Sequence, residues 1–197
     1  MPRFLPLWLI CTLAFASAAG STTVIPPTFD ALVGDASTVF VGEVAAIRAR
    51  WITARRGRAI VTDVTFRVED VWKGSVGPVT LLEFMGGTID GTTMEVVGMP
   101  QFSVGQRNVL FVSGERSVSP LVGFMYGRMK VERDFAGVDR VRTHDGRSLG
   151  SAAQFERNRP SFMLSIAAMT LSELKTAVQM RAGAVARRNA GGVARAR

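Results

Sequence analysis

The stretch Ile60–Gly74, IVTDVTFRVEDVWKG, decides the fold. Val64, Phe66 and Val68 alternate with Thr65, Arg67 and Glu69, the period-2 pattern of a β-strand with one buried face. At Asp70 the phase slips: Val71 and Trp72 are both apolar, and Lys73-Gly74 closes the run. Such a slip predicts a β-bulge or strong twist near Asp70. Glu69 and Asp70, the one adjacent acidic pair, are expected to face opposite ways, as strand neighbours do.

Upstream lies Val39–Trp51, VFVGEVAAIRARW, a long strand whose Gly42 predicts a bulge or bend and whose Glu43 reads as a solvated strand carboxylate. Thr53–Arg58, TARRGR, is the basic turn joining the two strands. Downstream, Val79–Met85, VTLLEFM, is apolar at both phases and reads as a strand buried on both sides or spanning a barrel corner. The Asp90-Gly91 pair between extended runs is a strong hairpin signal, so Gly86–Pro100 is expected to form a protruding flap. Gln106–Ser113, Leu121–Tyr126, Arg128–Arg133 and Val138–Thr143 supply further strands, the last ending at the turn Asp145-Gly146. Seven or eight short strands with frequent turns over residues 39–149 predict a mainly β fold, a barrel or sandwich.

Helical signals flank the strands. Thr28 is placed to cap a short helix through Phe29, Leu32 and Val33. Phe162, Ile166 and Met169 recur at helical spacing, and Thr170-Leu-Ser-Glu173 is a capping box opening a helix with Leu171, Leu174 and Val178 on one face. Arg181–Arg197 has no acidic residue and almost no large apolar one, and is expected to be disordered.

The first residues, MPRFLPLWLICTLAFASAAG, carry one charge at Arg3, an apolar run from Phe4 to Ala16 and an A-x-A site at Ala16-Ser17-Ala18, the pattern of a secretory signal peptide. The run is shorter than the roughly 20 apolar residues of a membrane span. Cys11, the only cysteine, follows Ile10 rather than a small residue, against lipid attachment, and leaves with the signal. The mature chain is then free of disulfides. The expected organisation is residues 1–18 as signal peptide, 19–35 as lead-in and short helix, 36–149 as β-domain, 150–180 as helical segment and 181–197 as tail. The expected location is the periplasm or the extracellular medium.

The chain has 24 Lys and Arg against 16 Asp and Glu, a net of +8. Eleven of the cations sit in three places: Arg3, the stretch Arg48, Arg50, Arg55, Arg56 and Arg58, and the tail residues Arg181, Arg187, Arg188, Arg195 and Arg197. Without them, 13 basic face 16 acidic residues, a net of −3, so the body is mildly acidic. That distribution argues against specific nucleic-acid binding, which calls for a cationic stripe on a folded face.

Catalytic signals are weak. The sole histidine, His144, adjoins Asp145 in a turn and reads as a surface residue rather than a triad member. One histidine and no mature cysteine disfavour a structural zinc site. Methionines 85, 94, 99, 125 and 129 are scattered over separate strands and read as core filling. Gly86-Gly87 lacks the helix that a phosphate loop requires. No cofactor is expected.

Residues 36–133 resemble uncharacterised secreted bacterial proteins and, more remotely, netrin-like domains, the OB-type barrels that include tissue inhibitors of metalloproteinases. The resemblance rests on VFVGEV at Val39–Val44, on VWKG at Val71–Gly74 and on the F-x-x-G-Q-x-x-x-L-F run Phe102–Phe111. It implies an OB-like (netrin-like) antiparallel β-barrel with a protruding hairpin and a C-terminal α-helix. The zinc-chelating amino-terminal cysteine of those inhibitors has no counterpart here, so their mechanism does not carry over.

Two surfaces are the candidate sites. One is the basic stretch with its aromatic, Arg48, Arg50, Trp51, Arg55, Arg56 and Arg58, suited to an anionic envelope polymer. The other is the apolar side of the flap, Ile89, Met94, Val97 and Met99, placed either to dock a protein partner or to cover the barrel mouth. The expected function is an exported, non-enzymatic binding module; the alternatives are a protease inhibitor acting by surface exclusion and a hydrolase with an unrecognised site.

Overall fold

The structure, a computed structural model, describes residues 26–54, 57–114, 118–150 and 168–194. The predicted signal peptide, Arg55, Arg56, Phe162 and Ile166 lie outside the described residues. Helix α1 (Phe29–Asp35) leads into β1 (Ala36–Ala54), β2 (Gly57–Lys73), β3 (Val79–Met85), the small ribbon β4 (Gly87–Ile89) and β5 (Thr92–Met94), then β6 (Arg107–Ser113), β7 (Arg128–Arg133), β8 (Asp139–Arg142) and helix α2 (Leu171–Ala194).

The protein is mainly β, and its main sheet is antiparallel in the order β3-β2-β1-β6-β7-β8. It stays open, with β3 and β8 as edges, where the sequence points to a closed barrel or sandwich. The physical reason is that both faces are already covered. On one face α1 and α2 pack over Val39, Val41, Trp72, Val109, Phe111, Met129 and Val141. On the other, Phe40, Val44, Phe66, Leu82, Phe84 and Leu110 meet Met99, Phe102 and Leu121 from the loops around β6. A sheet with a core on each side gains nothing by curling shut around one of them.

The β1–β2 hairpin carries the predicted irregularities. Val41 pairs Asp70 and Gly42 pairs Val68, so Glu69 is the extra residue of a bulge; a second extra residue is Trp72, between the pairs Phe40–Val71 and Val39–Lys73. A third, Ala45, lies in β1. The slip at Asp70 is therefore a bulge, as expected, and a Cβ on Gly42 would come within 3.1 Å of Arg67 O beside it. Glu43 sits half-exposed, 3.5 Å from Arg67 Nη1.

Three local expectations change. β3 buries Leu82 and Phe84 but exposes Val79 and Leu81, because it is an edge strand with one covered face. Leu121–Tyr126 is not a strand: after one bridge from Leu121 to Val112, Gly123 and Phe124 take positive φ and a short 3-10 turn follows. Past Met180, where a disordered tail is expected, α2 continues to Ala194. Its Ala and Arg residues are strong helix formers, Ala182 packs on the core, and Arg181 pairs with Asp30 of α1.

Both caps form as read. Thr28 Oγ1 accepts from Ala31 N at 3.1 Å. Thr170 Oγ1 accepts from Glu173 N at 3.2 Å while Glu173 Oε2 accepts from Thr170 N at 2.8 Å. Leu174 and Val178, on the inner face of that helix, are fully buried. No described helix is long and apolar enough to cross a membrane.

Candidate functional site: a charged cleft and a basic hairpin tip

The bulge in β2 creates a site that the period-2 reading conceals. An extra residue moves its neighbours out of strict alternation, and Glu69 and Asp70 consequently line the same open cleft of about 520 Å³, between the sheet and the first turn of α2. This corrects the expectation that the two carboxylates point apart. Val41 and the indole of Trp72 line it together with Val138 and Leu171, and the polar wall is Glu69, Asp70, Arg107, Asp139 and Lys175.

Every charge in that wall has a partner. Arg107 grips Glu69 through Nε at 3.0 Å and Nη2 at 2.7 Å, and Asp139 through Nη1 at 2.8 Å. Arg133 Nε reaches the other oxygen of Asp139 at 3.1 Å. Asp70 accepts from Lys175 Nζ at 2.6 Å and from Trp72 Nε1 at 2.9 Å. The hydrogen bond to Glu69, above all, raises the Arg107 guanidinium further beyond its ordinary value against the opposing effect of burial. The Arg107 hydrogen bond is the main cause holding Asp139 below the usual carboxylate range. At Asp70 burial pushes upward, but the bonds from Lys175 and Trp72 outweigh it and the carboxyl is again lowered. Asp70 and Asp139 are thus ionised at neutral pH, and neither is poised to give up a proton.

The opposite end of the hairpin differs. The four described residues of the basic stretch do not form one patch. Arg48 and Arg50 lie on one face with Asp63, and Trp51 and Arg58 on the other, following the cross-strand pairs Arg48–Asp63, Arg50–Val61, Trp51–Ile60 and Thr53–Arg58. Arg50 is neutralised: its Nε bonds Asp63 Oδ2 at 2.8 Å and its Nη2 pairs with Glu83. The Arg58 guanidinium stacks 4.3 Å over the Trp51 ring. Among the described residues no carboxylate pairs with Arg48 or Arg58, and both are exposed. Arg55 and Arg56 fall at the turn itself, outside the described residues.

The flap is fastened rather than free. The Asp90-Gly91 turn forms the expected hairpin, with φ of 51° and 73°. The ribbon lies back on the outer half of β1–β2: Gly86 N donates to Ile60 O at 2.8 Å, Thr62 Oγ1 to Gly86 O at 2.7 Å, and Ile60 N to Met94 Sδ at 3.4 Å. A Cβ on Gly87 would stand 2.3 Å from Thr62 Oγ1, so this close approach requires glycine. Met99 packs on the core and Ile89 and Met94 are partly buried, leaving Val97 exposed at 79%.

His144 is partly buried in a turn, its ring edge-on to Tyr126 at 4.9 Å, and burial lowers its pKa. Arg128 is a buried cation held by neutral acceptors, Asn108 Oδ1 at 2.8 Å, Gln101 O and Gln106 Oε1, and lies 4.6 Å over the Phe102 ring. Burial lowers its pKa to about 10.

Sequence reasoning missed Trp72, Arg107, Asp139 and Lys175 as members of one site. The phase slip at Asp70 is the signal that points to it. No family model, curated protein or solved structure matches the chain.

Proposed function

We propose that the protein is an exported, non-enzymatic binding module that engages an anionic polymer through the tip of the β1–β2 hairpin. The observation that carries this reading is the Arg58–Trp51 stack with Arg48 on the reverse face, cations without a described acidic partner on the outer part of the two-stranded β1–β2 arm. A stacked guanidinium keeps its hydrogen-bond donors directed outward for sulfate, phosphate or carboxylate groups. The cleft supports the non-enzymatic half of the reading, because its ions satisfy one another and the carboxyls of Asp70 and Asp139 are held below the usual range. The amino-terminal pattern of residues 1–18 supports export. The kinship we favour is an opened OB-like, netrin-like sheet, on the strength of Val39–Val44, Val71–Gly74 and Phe102–Phe111; the first loop of such barrels borders the ligand face, and here that loop is the tip.

The test is retention on a heparin-type resin under a salt gradient. Replacing Arg48, Arg55, Arg56 and Arg58 together by Ala should shift elution to clearly lower salt, while replacing Arg187 and Arg188 in the C-terminal segment should shift it less. Equal retention of the tip variant and the unaltered protein would refute the proposal.

A further inference from the structure

The two edges of the sheet are treated differently. Along β8 the outward backbone is used: Val141 N donates to Met169 O at 2.9 Å, Thr143 N donates to Arg147 O at 3.0 Å, and Arg140 bridges to Thr170. Along β3 it is not. Gly86 N bonds Ile60 O and Val68 N bonds Pro78 O, both at 2.8 Å. With the regular β2–β3 register between them, these bonds place the N–H and C=O groups of Thr80, Leu82 and Phe84 toward β2. Those of Val79, Leu81, Glu83 and Met85 therefore point away from the sheet. Met85 N finds Val118 O at 3.4 Å; among the described residues nothing pairs with the backbone of Val79, Leu81 or Glu83. The same positions carry large exposed apolar side chains, Val79 at 63% and Leu81 at 56%. An unpaired edge with apolar side chains is a template for another strand.

We propose that β3 pairs antiparallel with β3 of a second copy of this chain, about a two-fold axis at Thr80, joining two six-stranded sheets into one. Three considerations select this occupant. First, pairing about a two-fold axis uses the same β3 edge of both copies at once, so it closes at two copies and does not propagate into a filament. Second, the edge is self-complementary in this register: Val79 of each copy faces Leu81 of the other, so both apolar side chains are covered twice over. Third, the neighbouring registers are worse. Shifting the axis to Leu81 sets Glu83, which is already paired with Arg50, against Val79; shifting it to Val79 leaves Leu81 opposite Gly77. With the axis at Thr80, Glu83 faces Gly77 of the other copy at the rim and keeps its arginine. The two basic tips then project from opposite ends of the joined sheet.

The prediction is read by sedimentation equilibrium and by cross-linking. The purified protein should have twice the monomer mass, and the variant Val79→Lys/Leu81→Lys, which sets lysines opposite lysines, should have the monomer mass with an unchanged circular dichroism spectrum. In a Cys11→Ser background, Thr80→Cys should oxidise to a covalent dimer, since Thr80 faces itself in a non-hydrogen-bonded pair, where side chains are closest. Val118→Cys, on the loop beside β3, should not. A monomer mass for the unaltered protein at every concentration would overturn the proposal. So would a dimer that survives the lysine pair, or a Thr80→Cys protein that fails to cross-link while dimeric.

Discussion

The two ends of the β1–β2 hairpin carry similar residues to different effect. Each has a tryptophan and several ions, yet at the inner end the ions are paired and at the outer end they are only partly so. The difference lies in what the neighbours supply. At the inner end the bulges at Glu69 and Trp72 turn acidic and aromatic groups into a cleft, where β6 brings Arg107, β8 brings Asp139 and α2 brings Lys175. At the tip the neighbouring ribbon is GTI and TTM, without a carboxylate in either strand, and Asp63 and Glu83 serve Arg50. A count of charges along the sequence cannot separate these cases, because the difference depends on which element crosses above each end.

The sharpest contrast is expected between the two indoles. Trp72 is nearly fully buried beneath α2, so Trp72→Ala should cost about 3–5 kcal/mol in urea unfolding. Trp51 is half-exposed and covered on one side by Arg58, so Trp51→Ala should cost about 1 kcal/mol or less. Equal losses would break the distinction between a structural and a presenting end.

Next in size is the arginine comparison. Arg107→Ala leaves Glu69 and Asp139 facing each other without their shared cation and should cost about 2 kcal/mol, the range of charge-assisted bonds in a partly exposed setting. Arg58→Ala should leave the unfolding midpoint nearly unchanged and lower only the affinity for an anionic polymer. If Arg107→Ala is instead silent in unfolding, the cleft network is surface decoration.

The cleft should also contribute to the acid sensitivity of the fold. Asp70 and Asp139 have folded-state pKa values below the ordinary carboxylate value. Their contribution is fully present above the unfolded value of about 3.9 and is lost as pH falls through the lower folded values. Stability of the unaltered protein should therefore drop below about pH 4, and Asp139→Asn should flatten that slope. Tip substitutions should leave it unchanged.

Much of the fold was legible because it is written locally. The alternation of Val64, Phe66 and Val68, the Thr28 cap, the Thr170–Glu173 box and the Asp90-Gly91 turn are all short-range signals, and each formed. What escaped is set at long range. Whether the sheet closes depends on helices and loops covering both its faces. Whether Glu69 meets Arg107 depends on the pairing of β1 with β6. The bulge itself was readable from the adjacent Val71 and Trp72, but its consequence, two consecutive carboxylates in one cleft, needed Arg107 and Lys175 in place. The reach of α2 to Ala194 is not written in apolar content, because the alanines of that segment favour helix on propensity alone.

The most direct test uses the two indole N–H groups as reporters, one at each end of the hairpin. A sulfated oligosaccharide is titrated into the isotope-labelled protein, with Trp51→Phe and Trp72→Phe variants used to assign the signals. The account predicts that the Trp51 indole resonance moves in a saturable, salt-sensitive way while that of Trp72, held by Asp70, stays in place. Movement of the Trp72 signal with Trp51 unmoved would place binding in the cleft and contradict it.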